Sequence, residues 1–563
     1  MLMSYRVNRA CSTPRLVVSA IVTALLFLYF VTVWGNDRSW HQGQRAGIPT
    51  TEEQRHELGG VEDLWRKQQE KLEQQQKEAT GQTGTAAVAA EAVQTPDTEA
   101  LSTESDGKVR LDAHRLSNPD AFRAHFDAVI KAPRVTWQQA KDACHFADPG
   151  NVNFQFGDGE GGFMLNSSWT LRPWPQEDHD EQRAIWQKFV MKGLIPWKDH
   201  GHRFEGRGIV IVGGSGRSVK RIMVMMRQLA KLGSKLPIEI HYWGKEMDDD
   251  KRKKLTNLWP LLYFNDLSSQ SNIYRTMYDD TPGRGIHYNL KTAALINSRF
   301  AEPLLLDSDN IPIIAPESLW ESDEYREYGT IFWPDIARTR ADNPIWSITN
   351  TLCRPDEFEQ ESGQLLVNKS KFFYHLQLAA WLNAPRLDAN GRYAESFYYN
   401  ILLGDKDTFR FAWHALKTTY GRPRNAITSV GTLSKESETS SFYCGHSFLQ
   451  YHPDGRPQFM HGGLLKTMQK PVMKWQREQN GGIFQVYKKY EYDTDHSKPF
   501  QVYIGGDEMK YFPDKAKYKM GPTFCTQYPT IDAKPLEELV PGFEKAFDES
   551  GGYWMLDEPE KAG

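Results

Sequence analysis

Between Arg207 and Ile313 the chain switches several times between apolar runs and spaced apolar positions. GIVIV, Gly208 to Val212, is a continuous apolar run of strand length. Val219 to Leu232 then spaces its apolar residues along one helical face and stops at Gly233. A strand is predicted over Pro237 to Trp243, a charged helix from near Met247, a short strand at Leu261 to Phe264 and a helix over Ile286 to Arg299. EPLLL, Glu302 to Leu306, follows as another strand. Alternation of this kind predicts an α/β fold with a mainly parallel central sheet. Ligands of such sheets sit at the carboxyl ends of the strands.

Upstream the pattern changes character. Leu16 to Trp34 carries no charge over 19 residues. At about 1.5 Å per residue it spans roughly 28 Å, close to a bilayer core. Arg6, Arg9 and Arg15 precede it, which predicts a cytoplasmic tail over 1–15, a signal anchor over 16–34 and a lumenal remainder. A cleaved signal peptide is the rival reading, although VTVWGN is a poor small-residue cleavage site. Residues 35–116 are rich in Gln, Glu, Thr and Ala, so a solvated, largely disordered stem is expected there. Helical periodicity starts at PDAFRAHFDAVIKA, and a lumenal catalytic domain is expected over 117–563.

Composition narrows the function classes. The net charge is −4 over 563 residues, so no basic excess points to nucleic acid. The 17 Trp and 24 Tyr are compatible with flat sugar-binding surfaces without selecting them. Beyond Cys11, the cysteines Cys144, Cys353, Cys444 and Cys525 permit up to two disulfides in any of three pairings. None has the spacing of a zinc-thiolate site. The sequons at Asn166 and Asn368 agree with lumenal placement.

The chemistry concentrates where EPLLL ends. Asp307 and Asp309 follow it directly, and strand alternation would point both carboxylates one way and Ser308 the other. A buried pair of acids is costly, and a hard divalent cation offsets the repulsion while leaving positions for phosphate oxygens. The other D-x-D pairs, Asp178/Asp180, Asp405/Asp407 and Asp493/Asp495, and the charge run Asp248 to Asp250 lie in polar surroundings and are expected to face solvent. The loop Gly213 to Gly216 lacks the G-x-G-x-x-G pattern, which argues against a nucleotide-dependent oxidoreductase. It is either a nucleotide-side loop, with Gly213 and Gly214 beside the ligand, or a tight structural turn.

A set of ordered blocks carries a resemblance. GIVIVGGSGR, LGSKLPIEI, LKTAALINSRFAEPLLLDSDNIPI, GTIFWPDI, ESGQLLVNKSK, NILLGDKDTFRFAWHAL and QFMHGGLLK are similar in order and spacing to the fungal Golgi α-mannosyltransferases. Within that family the chain most resembles the α-1,2-mannosyltransferases that start branches on the outer chain of N-linked glycans. The resemblance spans roughly Gly208 to Lys466 and implies a GT-A type glycosyltransferase fold, GDP-mannose as donor, Mn2+ (or Mg2+) as metal, and retention of the α configuration.

Residue by residue, the resemblance implies that Asp307 and Asp309 hold the metal and that His461 completes its coordination, with Ser308 where the family usually has Ala. The glycines after His461 depart from the more usual Arg-Asn. Lys291 is either a phosphate contact or a solvated helix lysine, and Lys466 is a second phosphate candidate. Glu361 would face the reacting sugar or hold its loop, and Gln364 belongs to the same block. Trp333 and Asp335 are expected to line the cleft, and Asp405 to contact the donor sugar or to cap the following helix.

The implied protein is a type II Golgi membrane enzyme acting on a glycoprotein mannan acceptor. Front-face attack is the favoured route to retention, a covalent intermediate on a carboxylate the alternative. An α-1,3 linkage, another nucleotide sugar, or a non-catalytic role in a complex with other mannosyltransferases are the competing readings.

Overall fold

GIVIV forms the middle of β1 (Arg207–Val212), and residues 208–211 are buried, as expected of a strand covered on both faces. The computed structural model describes residues 119–144, 174–278, 288–387, 393–394, 396–402, 404–435, 441–462, 470–489, 503–505, 525–528 and 531–558. The expected anchor, the stem, Asn166 and Lys466 lie outside the described residues. Among the described residues no helix is long and apolar enough to cross a membrane.

The helix α1 (Pro119–Lys131) matches the first periodic segment. β1 is followed by α2 (Gly216–Lys231), β2 (Ile238–Tyr242), α3 (Asp249–Thr256), β3 (Leu262–Asp266), α4 (Leu290–Asn297) and β4 (Glu302–Leu306). Ser215 caps α2, its hydroxyl accepting from the Ser218 amide at 3.3 Å. The chain continues through β5 (Asn310–Pro312), β6 (Thr330–Pro334), β7 (Gln360–Val367) and α5 (Lys369–Asn383). A two-strand ribbon, β8 (Arg386–Leu387) with β9 (Tyr393–Ala394), precedes α6 (Lys406–Ala415).

The first sheet has six strands in the order β3-β2-β1-β4-β7-β6. β1, β2, β3 and β4 pair in parallel, and β7 runs antiparallel between β4 and β6. The sheet is therefore mainly parallel, as the alternation predicts, with one reversed strand that it does not. Leu304 and Leu306 pack with the apolar face of α2, while Leu305 faces α4, α5 and α6. Each such fully buried leucine contributes about 1.5–3 kcal/mol.

A second, antiparallel sheet is built on β10 (Thr428–Lys435), β11 (Ser441–Tyr451), β12 (Pro457–His461) and β13 (Val486–Lys489). It includes β5, which pairs with β12 so that His461 stands opposite Asn310. Cys144 and Cys353 form a disulfide across a separation of 209 residues, and Cys444 is also disulfide-bonded.

Candidate active site

The register of β1 with β4 brings the loop after Val212 alongside the turn after Leu306. Residues 308 and 309 form that turn, with the Asn310 amide donating to the Asp307 carbonyl at 3.0 Å. Strand alternation therefore does not govern Asp307 to Asp309, and Ser308 lines the same cleft as Asp309 instead of pointing away. What brings the acids to a common point is the turn together with the β5–β12 pairing. His461 Nε2 lies 3.7 Å from Asp307 Oδ2 and 3.8 Å from Asp309 Oδ1. One ligand atom from each of the three residues falls within 4.8 Å of the others.

Two glycines keep this cluster open. A Cβ on Gly363 would stand 2.6 Å from the His461 ring, and one on Gly462 would stand 2.8 Å from Asp309 Oδ2. Both distances are well inside van der Waals contact. Gly363 also accepts the Asp307 amide at 2.8 Å through its carbonyl, which ties the turn to β7.

Lys291, on α4, is not a solvated lysine. Its Nζ donates to Asp307 at 2.9 Å and to Ser362 Oγ at 3.1 Å, and lies 3.8 Å from Asp405. Burial works against its charge, but Asp307 and Asp405 outweigh burial and hold the ammonium above the ordinary lysine range. Asp405 occupies the N-cap position of α6 without a side-chain capping bond. It accepts instead from Ser362 Oγ at 3.2 Å. Burial raises its pKa, only partly opposed by Lys291. Glu361 accepts the Gly363 amide at 2.8 Å and stands 3.8 Å from His461 Nδ1, and burial pushes its carboxyl pKa up.

Other expected positions lie elsewhere. Trp333 is 1% exposed, donates from Nε1 to the Tyr451 carbonyl at 2.8 Å and meets Phe459 edge-on, so its ring has no open face for a sugar. Gln364 is fully buried between Asn310, which donates to it at 2.6 Å, and Gln450, to which it donates. Its role here is to fasten β5 to the two sheets. Asp335 pairs with Lys406 at 3.1 Å. Gly214 is sterically required at its turn, since a Cβ there would meet the Glu246 Cβ at 2.6 Å, whereas one on Gly213 would make a tight contact with Ser218 at 3.1 Å.

Asp405 and Asp407 do not face solvent as expected; both are buried. Lys406 sits between Asp335, Glu359 and Asp407, and Arg410 between Asp407 and Glu357. These compensating charges replace the water that a polar segment would ordinarily keep. Ser362 and Gly363, the middle of the ESGQ block, also escape sequence reasoning, although the block itself marks the place. They touch Lys291 and Asp307, whereas Gln364 does not.

Residues 206–355 and 353–452 match a family model described as a mannosyltransferase. Over that span, which is less than half of the chain, the sequence is similar to the mannosyltransferase family. Alpha-1,2-mannosyltransferase MNN24 of Candida albicans is 25% identical over 301 residues, covering 46% of this chain and 40% of the relative. Alpha-1,2-mannosyltransferase MNN2 of Saccharomyces cerevisiae is 25% identical, covering 44% of this chain and 46% of the relative. The chain thus spans about half the length of the curated relatives it matches. Among solved structures, a bifunctional glycosyltransferase, WbbM, gives a TM-score of 0.29 at 13% identity over 38% of either chain. The galactosyltransferase LgtC, solved with donor and acceptor sugar analogues, gives 0.24 at 13% identity over 36% of this chain and 70% of its own. The family match ends at residue 452, short of His461, so the third member of the cluster stands on geometry.

Proposed function

We propose that the chain transfers mannose from GDP-mannose to a mannose hydroxyl of a glycoprotein glycan, retains the α configuration and makes an α-1,2 linkage. The carrying observation is the convergence of Asp307, Asp309 and His461 at the end of β4 in a chain with a mannosyltransferase segment. A GT-A type arrangement, with the site at the carboxyl end of a mainly parallel sheet, belongs to the same reading.

Two carboxylates and an imidazole suit Mn2+, with Mg2+ the harder alternative, and Gly363 and Gly462 leave clear the space that a Cβ would fill. Asp307, Asp309 and His461 would hold the ion, whose contribution when bound is Lewis-acid stabilisation of the departing diphosphate. Lys291 adds a fixed positive charge beside Asp307 without reorganising, because Asp405 and Ser362 hold its other side. Glu361 orders Gly363, and through it the turn that carries Asp307. In front-face transfer the anomeric carbon–phosphate oxygen bond breaks, the acceptor oxygen bonds on the same face, and its proton passes to the leaving phosphate. The positive charges before residue 16 support a lumenal site anchored through 16–34 in the Golgi membrane.

The test is incubation of the full chain with a panel of nucleotide sugars, mannobiose and Mn2+, and assignment of the product linkage by NMR. Transfer of mannose in an α-1,2 linkage is expected. No mannose transfer, or undiminished transfer by Asp309→Ala, would falsify the proposal.

A further inference from the structure

A cleft of about 590 Å³, open solvent at its mouth included, reaches Asp309 from the side of α2. One wall is the exposed face of α2, with Arg217 in the first turn and Arg221 in the second; Ser308 and Asp309 close its inner end. The opposite wall is formed by Phe547, Trp554 and Met555. Those residues belong to α7 (Phe543–Glu549) and the turn Trp554–Asp557, far beyond the residues matched by the family model.

This wall is fastened to α2. Arg227 donates to the Ser550 carbonyl at 3.1 Å, the Ser550 hydroxyl donates to Gln228 at 3.2 Å, and Lys231 pairs with Glu549 at 3.0 Å. All three contacts lie on later turns of the helix that carries Arg217 and Arg221, which ties the two walls together. Among the described residues neither Arg217 nor Arg221 has a carboxylate partner, and Arg221 Nε is buried without a hydrogen-bond acceptor.

The chemistry of the cleft is split. It offers an aromatic and thioether surface at one side and two uncompensated guanidinium groups at the other, and it opens onto a candidate metal ligand. A neutral mannoside gives two such guanidinium groups nothing to neutralise. A nucleoside diphosphate matches all three features: a flat base, anionic oxygens, and phosphates that share a cation with Asp309. The N-terminus of α2 adds a favourable end for the anion. Building on the mannosyltransferase reading, we propose that this cleft holds the nucleoside diphosphate of the donor, with the base against Trp554 and the diphosphate engaged by Arg217 and Arg221. The C-terminal segment then supplies the surface on which the base rests, and the acceptor enters from elsewhere.

The test is calorimetric titration of GDP, UDP and guanosine into the full chain with Mn2+, alongside kinetics with mannobiose. R217Q/R221Q should weaken GDP at least tenfold and leave guanosine unchanged. W554A should weaken both, with W554F intermediate, while the mannobiose KM stays within twofold in every variant. Thermal melting establishes that each variant is folded; Arg217 is solvent-exposed, so its single variant R217Q remains available if the double variant is not. GDP affinity within twofold of wild type in folded R217Q and W554F overturns the proposal. So does a raised mannobiose KM with unaltered GDP affinity, which assigns the cleft to the acceptor and leaves the mannosyltransferase reading standing. A wild-type chain that binds no nucleotide and transfers no mannose removes both.

Discussion

The ammonium of Lys291 lies 2.9 Å from the Asp307 carboxylate, so one acid of the D-x-D pair has a counter-charge supplied by the chain itself. Lys291→Met should leave Asp307 and Asp405 without it. Removing one partner from a largely buried pair costs about 3–5 kcal/mol. A lower melting temperature and a fall in kcat of at least tenfold are expected, measured by calorimetry and by mannose transfer. A variant with wild-type kcat would remove Lys291 from the site.

Gly363 abuts the imidazole of His461. Gly363→Ala should push the ring off the carboxylates and weaken Mn2+ by about 10- to 100-fold, as losses of supporting contacts commonly do. The overall fold should persist, because the added methyl meets one ring. Metal titration against circular dichroism separates the two effects.

Trp333 is a beam of the scaffold and not a sugar platform. Trp333→Phe removes the bond to the Tyr451 carbonyl and leaves a buried acceptor unmet, a cost of about 1–3 kcal/mol. Stability should drop while the acceptor KM stays within twofold. A large KM change with unchanged melting would return Trp333 to the cleft.

Acid should destabilise the fold through buried histidines, His125 and His446 among them. Burial lowers the pKa of His125 to about 4 against its bond to the Leu416 carbonyl, and that of His446 to about 4 against its bond to the Ile483 carbonyl. Below about pH 6.5 the unfolded chain takes up protons that the folded chain refuses, so stability falls as pH drops from 6.5 toward 4 and is flat above that window. Each group contributes up to about 3 kcal/mol at the acid end. Melting followed across this range should flatten in His125→Gln and His446→Gln. An equal slope in both variants would assign the acid sensitivity to other groups.

The parallel half of the first sheet is legible because strands buried on both faces read as unbroken apolar runs, GIVIV and EPLLL among them. The reversal of β7 is not legible, since its partners β4 and β6 lie tens of residues away, and neither is the entry of β5 into the antiparallel sheet, since its partner β12 lies about 150 residues on and no local period names it. Trp333 misleads through its type: aromatic content suggests sugar stacking, whereas in TIFWP it shares the buried face of Ile331. Asp405 and Asp407 mislead through their neighbours, because a polar segment reads the same whether water or Lys406 and Arg410 meet its charges. His461 is legible only through the resemblance; nothing near it in the chain announces that β12 will pair with β5.

That pairing has a consequence for biosynthesis. Asp307 and Asp309 leave the ribosome roughly 150 residues before His461, and the strand that carries His461 belongs to the other sheet. A nascent chain can fold its parallel strands while its acids still wait for the imidazole. The cluster of Asp307, Asp309 and His461 is therefore completed late, as a sign that both halves of the molecule have been made and joined.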